Sequence, residues 1–89
     1  MEFIVLKALE AEPMCGYDVM GHIHERYRVL LSPGSVYPLL RSMERDGFID
    51  QTAMEKKKVF RLTHAGRDAV KDLFERYMKI LALTRPEHV

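Results

Sequence analysis

Residues 31–50 read LSPGSVYPLLRSMERDGFID, a short capped helix running at once into a strand. Ser32 is a natural N-cap, because a hydroxyl there can accept an otherwise unpaired amide. Pro33 follows at the first helical position, where a missing N–H costs nothing. Gly47 stands where a left-handed residue is wanted to end the helix. At helical spacing Val36, Leu39, Leu40 and Met43 share one face. Tyr37, Pro38, Arg41 and Arg45 share the opposite face, with Ser42 beside them. Apolar on one side and presenting Tyr and Arg on the other, such a helix suits a DNA major groove.

The flanking sequence frames this helix. Residues 2–11 predict a first helix whose apolar residues (Phe3, Ile4, Val5, Leu6, Ala8 and Leu9) point nearly all round. That pattern asks for cover on more than one side, which a small domain would take from a second chain. Pro13 punctuates. A second helix is expected over 16–27, with Tyr17, Met20, Ile23, His24 and Tyr27 as its core-facing stripe. The third spans about 33–46, with a slight bend near Gly34 because Pro38 removes one hydrogen bond. Residues 48–54 and 58–63 predict a hairpin with Glu55-Lys56-Lys57 at its tip. Thr63 caps a last helix to about Thr84, which Pro86 stops. Ala69, Val70, Leu73, Phe74, Tyr77, Ile80 and Leu81 form a stripe on it wider than a core-facing helix needs. Lys71–Glu75–Lys79 and Asp72–Arg76 are spaced to pair on its outer face. A broad apolar stripe on a terminal helix suits a dimer surface better than a fold back onto its own domain. The fold class is therefore mainly α with a small β-hairpin wing, a winged helix-turn-helix followed by a dimerisation helix.

Composition narrows the function classes. The 89 residues suffice for one domain, and a hydrophobic share of 47% excludes a disordered chain. No apolar run approaches the ~20 residues of a membrane span. The first residues carry Glu2 and no basic start, unlike a signal peptide. A lone Cys15 excludes an internal disulfide and suits a reducing cytoplasm. Net charge is only +1, but it is unevenly spread. Residues 1–25 hold one lysine against five acids, whereas residues 26–61 hold eight bases against four acids. The positive excess coincides with the third helix and the hairpin, the footprint expected of a DNA reader.

Three segments resemble the PadR-like transcriptional regulators. Leu31–Leu40 with Met43–Ile49 resembles that family's recognition helix and first wing strand. Glu12–Asp18 resembles its turn into the second helix, although Cys15 stands where a His is common. Val59–Gly66 resembles its second wing strand and the start of its last helix. The wing tip departs from the family in lacking Gly and Pro. The resemblance implies a winged helix-turn-helix, a homodimer and sequence-specific DNA binding, most simply as a repressor on a pseudo-palindromic operator. It divides the chain into a DNA-binding domain, residues 1–63, and a dimerisation helix and tail, residues 64–89.

Candidate DNA contacts are Tyr17, Ser32, Ser35, Tyr37, Arg41 and Arg45, the tyrosines partly through the resemblance and the arginines from the helical wheel. Arginine grips guanine bidentately, whereas Ser and Tyr hydroxyls hold phosphates. The competing reading is a core ring for either tyrosine, and a surface ion pair with Glu44 or Asp46 for either arginine. Lys56, Lys57, Lys58 and Arg61 are expected on backbone phosphates, adding affinity rather than sequence choice. Phe3, Ile4, Leu73, Phe74, Tyr77, Ile80 and Leu81 are expected at the dimer interface. Regulators of this kind also answer to small-molecule effectors. Phe3, Phe74 and Tyr77 would serve a pocket or an interface core equally, so no effector is assigned.

No metal or cofactor is expected. Asp18 and His22 share a helix face, but Cys15 lies about 10 Å along the axis from His22, too far for one ion to hold both. No phosphate loop, carboxylate pair or activated nucleophile suggests an enzyme. Two rivals share the fold: a protein-interaction winged helix, in which Arg41 and Arg45 meet a partner's acids, and a non-specific architectural DNA binder. Competition with unrelated duplex separates the last from a specific regulator.

Overall fold

The computed structural model describes residues 1–84. Pro86, expected to stop the last helix, lies outside the described residues. The elements in chain order are α1 (Glu2–Ala11), α2 (Gly16–Tyr27), α3 (Pro33–Arg45), β1 (Ile49–Met54), β2 (Lys57–Leu62) and α4 (His64–Thr84). The three N-terminal helices enclose one core with the hairpin and the first half of α4. Leu6, Ile23, Leu40, Met43 and Ile49 are its largest fully buried side chains. Among the described residues, no helix is long and apolar enough to cross a membrane.

Two sequence expectations change at this level. The first concerns α1, which buries Val5, Leu6, Ala8 and Leu9 against α2, β2 and α4 of its own chain. A second chain is not needed to cover it. Only Phe3 and Ile4 stay half-buried at its start, and the Phe3 ring meets Tyr77 of α4 edge-on at 5.1 Å. The second concerns α2, which buries Gly16, Val19 and Ile23 with Met20 packed beside them; of the expected stripe Ile23 and Met20 face the core and the other three do not. Tyr17 and His24 lie about 100–120° round the helix from Ile23, at the ~100° per residue of an α-helix. Both are exposed, as is Tyr27. Aromatic rings dominate a hydropathy wheel, but Gly16 lets α2 approach α3. A Cβ on Gly16 would stand 2.6 Å from the Tyr37 ring.

α3 ends as its sequence requires. Gly47 adopts φ +86°, the Gly47 amide donates to the Glu44 carbonyl, and the Phe48 amide donates to the Met43 carbonyl, both at 3.0 Å. These two bonds make a Schellman cap. The helix continues through Pro38. Its start differs from expectation. Ser32 occupies the N-cap, but its hydroxyl contacts the Ser35 hydroxyl at 3.2 Å and accepts from no helix amide.

The hairpin is antiparallel, with Ile49 opposite Leu62 and Met54 opposite Lys57. That register leaves two turn residues, Glu55 and Lys56, so Lys57 belongs to β2 and the expected three-residue tip is one too long. On its other side β2 pairs with Met14 through reciprocal Met14–Phe60 backbone bonds of 3.0 and 2.9 Å.

At the base of the hairpin, α3, the sheet and α4 are fastened together. The Phe48 carbonyl accepts from the Thr63 amide at 3.0 Å. The Thr63 hydroxyl donates to the Gly47 carbonyl and accepts from the Gly66 amide at 3.1 Å, capping α4. Gly66 is the seat of this junction, for a Cβ there would lie 2.0 Å from the Phe48 carbonyl oxygen. Backbone cannot yield like a side-chain tip. Gly66→Ala should therefore destabilise the fold by about 1–3 kcal/mol, the usual cost of overpacking. Gly21→Ala adds a methyl on α2 with nothing within 4 Å and should stabilise by ~0.5–1 kcal/mol. Urea unfolding of both variants checks the pair; equal shifts would contradict the junction described.

Candidate nucleic-acid interface

α3 buries Val36, Leu40 and Met43, and Leu39 is half-buried against the same core. Its opposite side carries Ser32, Ser35, Arg41 and Arg45, all exposed. Among the described residues, no carboxylate lies within ion-pair distance of either arginine. The competing ion pairs with Glu44 or Asp46 do not form. Arg41 and Arg45 are stacked one turn apart as like charges, an arrangement that costs a free helix ~0.2–0.5 kcal/mol.

The tyrosines separate. Tyr17, one residue into α2, is 75% exposed and flanks a shallow hollow with Leu30, Leu31 and Pro33 at the α3 entrance. Tyr37 is not free on the outer face. It is half-buried, with its ring edge and hydroxyl against Gly16, and so braces α3 on α2. The expected outer-face position shared with Arg41 and Arg45 does not hold for it, because the ring folds back toward the space that Gly16 leaves open.

The wing adds Lys56 at the turn and Lys57 and Lys58 on β2, all exposed. Arg61 is already engaged, its Nε donating to Asp50 directly opposite at 2.7 Å. An exposed pair of this kind contributes ~0–1 kcal/mol, but it offsets the charge expected to meet a phosphate. Glu55 and Lys56 have φ of +50° and +68°, a type I′ turn built without glycine.

Sequence reasoning missed one contact in this region. Gln51 Nε2 donates to both carboxylate oxygens of Glu44, at 3.3 and 3.2 Å, tying β1 to α3. The period-two rule carried the signal, since Gln51 lies two residues beyond the buried Ile49 and so faces the same side.

The dimer candidates lie at the far end of the molecule. Leu73 is half-buried against the core, but Phe74 and Tyr77 are exposed, as are Ile80 at 54% and Leu81 at 62%. Met78 and Leu83 join them. The Lys7 ammonium lies 6.0 Å from the Phe74 ring centre. Of the expected outer-face pairs, Asp72–Arg76 closes at 3.1 Å, whereas Lys71–Glu75–Lys79 does not.

Three helices, a two-stranded wing and a terminal helix in this order define a winged helix-turn-helix protein. Residues 5–72 match the model of the Transcriptional regulator PadR-like family, and the chain belongs to that family, one of regulators rather than enzymes. It is 33% identical over 64 residues to the transcriptional activator GvpE of Haloferax mediterranei, covering 72% of this chain and 33% of that protein. GvpE1 of Halobacterium salinarum is 29% identical over 62 residues, covering 70% and 32%. The chain thus spans about a third of the length of these curated relatives. Among solved structures, F93 from STIV, a winged-helix DNA-binding protein, superposes with a TM-score of 0.80 at 27% identity, covering 89% of this chain and 88% of that one. A PadR family transcription regulator from Clostridium difficile R20291 shares the fold, with a TM-score of 0.83 at 23% identity over 92% of this chain and 91% of that one.

The wing turn is testable without any ligand. Two non-glycine residues in left-handed conformations are each disfavoured by ~1–2 kcal/mol relative to glycine. Replacing Glu55-Lys56 by Asn-Gly should raise the urea midpoint, with a gain of about 1 kcal/mol or more. A lowered midpoint would mean that the turn is not of this type.

Proposed function

We propose that the chain is a sequence-specific, homodimeric DNA-binding regulator that lays α3 in the major groove and the wing on flanking phosphates. The observation that carries this reading is the pair Arg41 and Arg45, exposed on a helix whose other face is buried, with no carboxylate among the described residues within ion-pair reach. Arg41 and Arg45 would read bases. Tyr17, Ser32 and Ser35 would hold phosphates near the start of α3, and Lys56, Lys57 and Lys58 would do so from the wing. Tyr37 is assigned to bracing α3 and Arg61 to stiffening the wing. That the DNA-binding structural neighbour F93 matches over nearly its whole length supports the assignment, as does the family.

The dimer rests on α4. A chain of this length is expected to have a radius of gyration of about 12 Å. The observed 14.6 Å and the 54 × 27 × 21 Å extents reflect an elongated molecule in which the second half of α4 leaves the core. Phe74, Tyr77, Ile80 and Leu81 on that half, with Phe3, Ile4 and Leu73 beside them, form the surface assigned to a second copy. Residues 1–63 then read DNA, and α4 serves both units, its buried Gly66 and Val70 in the core and its far half in the pairing. A two-fold pair would set recognition helices ~34 Å apart, matching successive major grooves. Such a dimer represses where its site overlaps a promoter. It activates, the role that the GvpE relatives' names carry, where the site lies upstream. The free Cys15 thiol supports a reducing cytoplasm as its compartment.

Gel shifts on a duplex recovered by genomic footprinting test the reading. With about 6–10 phosphate contacts, affinity should fall ~10³–10⁵-fold between 50 and 200 mM salt. Arg41→Ala should relax base preference at one position at a cost of ~1–3 kcal/mol, and Lys57→Ala should weaken all duplexes alike. A flat salt response, or identical effects of the two changes, would overturn it. Separately, Leu81→Glu should convert the dimer to a folded monomer by sedimentation, because a charge placed in an apolar contact forfeits its hydration. An unchanged sedimentation coefficient would remove α4 from the interface.

A further inference from the structure

Helical spacing makes Glu44 the natural partner of Arg41, three residues before it, as well as a neighbour of Arg45. Yet neither arginine is paired, and both Glu44 oxygens are taken by one amide on the next element, Gln51 Nε2. Glu44 is half-buried between α3 and β1, whereas Arg41, Arg45 and Gln51 are exposed. Gln51 is uncharged, so it holds the carboxylate without adding a charge to the face beside the wing lysines.

We propose that Gln51 is a positioning residue for base recognition: it diverts the Glu44 carboxylate toward the wing and so leaves Arg41 free for the duplex. The inference rests on the DNA-binding reading given above. Without the amide, the carboxylate can swing to Arg41 on its own helix. DNA would then have to break that pair, and an unshielded carboxylate would stand beside the phosphates. The contact also couples the wing to the recognition helix, since Gln51 belongs to the strand that leads to the basic turn.

A double-variant cycle on the full chain tests this, with the footprinted duplex as probe and fluorescence anisotropy as readout. Gln51→Ala should weaken specific binding by about two- to tenfold. Glu44→Gln, which cannot capture an arginine, should not weaken it. Gln51→Ala in the Glu44→Gln background should then be silent, within twofold of Glu44→Gln alone. A direct DNA contact by Gln51, or a merely structural one, would give the same loss in both backgrounds. NMR of the Arg41 Nε–H resonance without DNA supplies a second readout: it should move in Gln51→Ala and return in the double variant. An unmoved affinity in Gln51→Ala, or a loss that persists with Glu44→Gln, overturns the inference while leaving the DNA-binding reading intact. A wild-type chain that binds no duplex overturns both.

Discussion

The arrangement depends on one crowded point where the backbone of Phe48 meets Gly66. Gly47 closes α3 in a left-handed conformation, and the Phe48 amide completes the cap on the Met43 carbonyl. The Phe48 carbonyl then receives the Thr63 amide, while the Thr63 hydroxyl links the Gly47 carbonyl to the Gly66 amide. Recognition helix, wing and terminal helix all leave from within a few residues of this point. Their mutual angles are fixed by backbone hydrogen bonds and by the one residue type that can occupy position 66. Rigid elements sited this way suit the proposed ligand, a stiff, periodic duplex.

Given that junction, the two ends of the molecule do different work with different physics. The end near α3 and the wing is held by burial of Val36, Leu40 and Met43, and offers unpaired positive charge to the outside. The far half of α4 offers apolar surface, with Leu83 exposed at 85% and little of its own chain to cover it. In the proposed function the charge at one end serves a polyanion and the apolar area at the other serves a second copy of the chain. Net charge contributes little, since the whole chain stands at +1. Distribution carries the electrostatic argument: of the pairs Lys7 with Glu10, Arg61 with Asp50 and Arg76 with Asp72, only the second lies in the basic stretch, and it leaves Arg41, Arg45 and the wing lysines untouched.

Much of this was legible in the chain. The limits of α1, α2 and α4 follow from Pro13, Thr63 and the apolar periods, and α3 from Ser32, Pro33 and Gly47. Local rules handle such features because caps and breakers act within a few residues. The failures have a common cause in tertiary context. Val19 and Gly16, not Tyr17 and His24, face the core of α2, since a close helix approach rewards small residues that a hydropathy wheel underrates. Tyr37 was expected on the outer face but folds into the gap above Gly16. The Ser32 hydroxyl turned to Ser35 in place of a helix amide. The wing turn was read one residue too long, because nothing in Glu55-Lys56-Lys57 advertises two left-handed residues. The Gln51 contact is harder to read, because its partner is seven positions away, in neither helix nor hairpin register.

The residues that obey no local rule are the informative ones. Arg41 and Arg45 stand one turn apart as like charges on α3. Glu44 could relieve that repulsion from the same helix, yet it is committed to an uncharged amide. Lys56 occupies a backbone conformation that glycine would adopt with less strain. Each choice costs the isolated chain a fraction of a kilocalorie or more, and each leaves a positive group unneutralised. Glu55 shares the left-handed conformation of Lys56, so strain alone carries no sign. The common feature is that Arg41, Arg45 and the wing lysines stay unneutralised among the described residues, as a surface facing an anion outside the folded chain would. That convergence, rather than the count of basic residues, is the physical argument for a polyanionic partner.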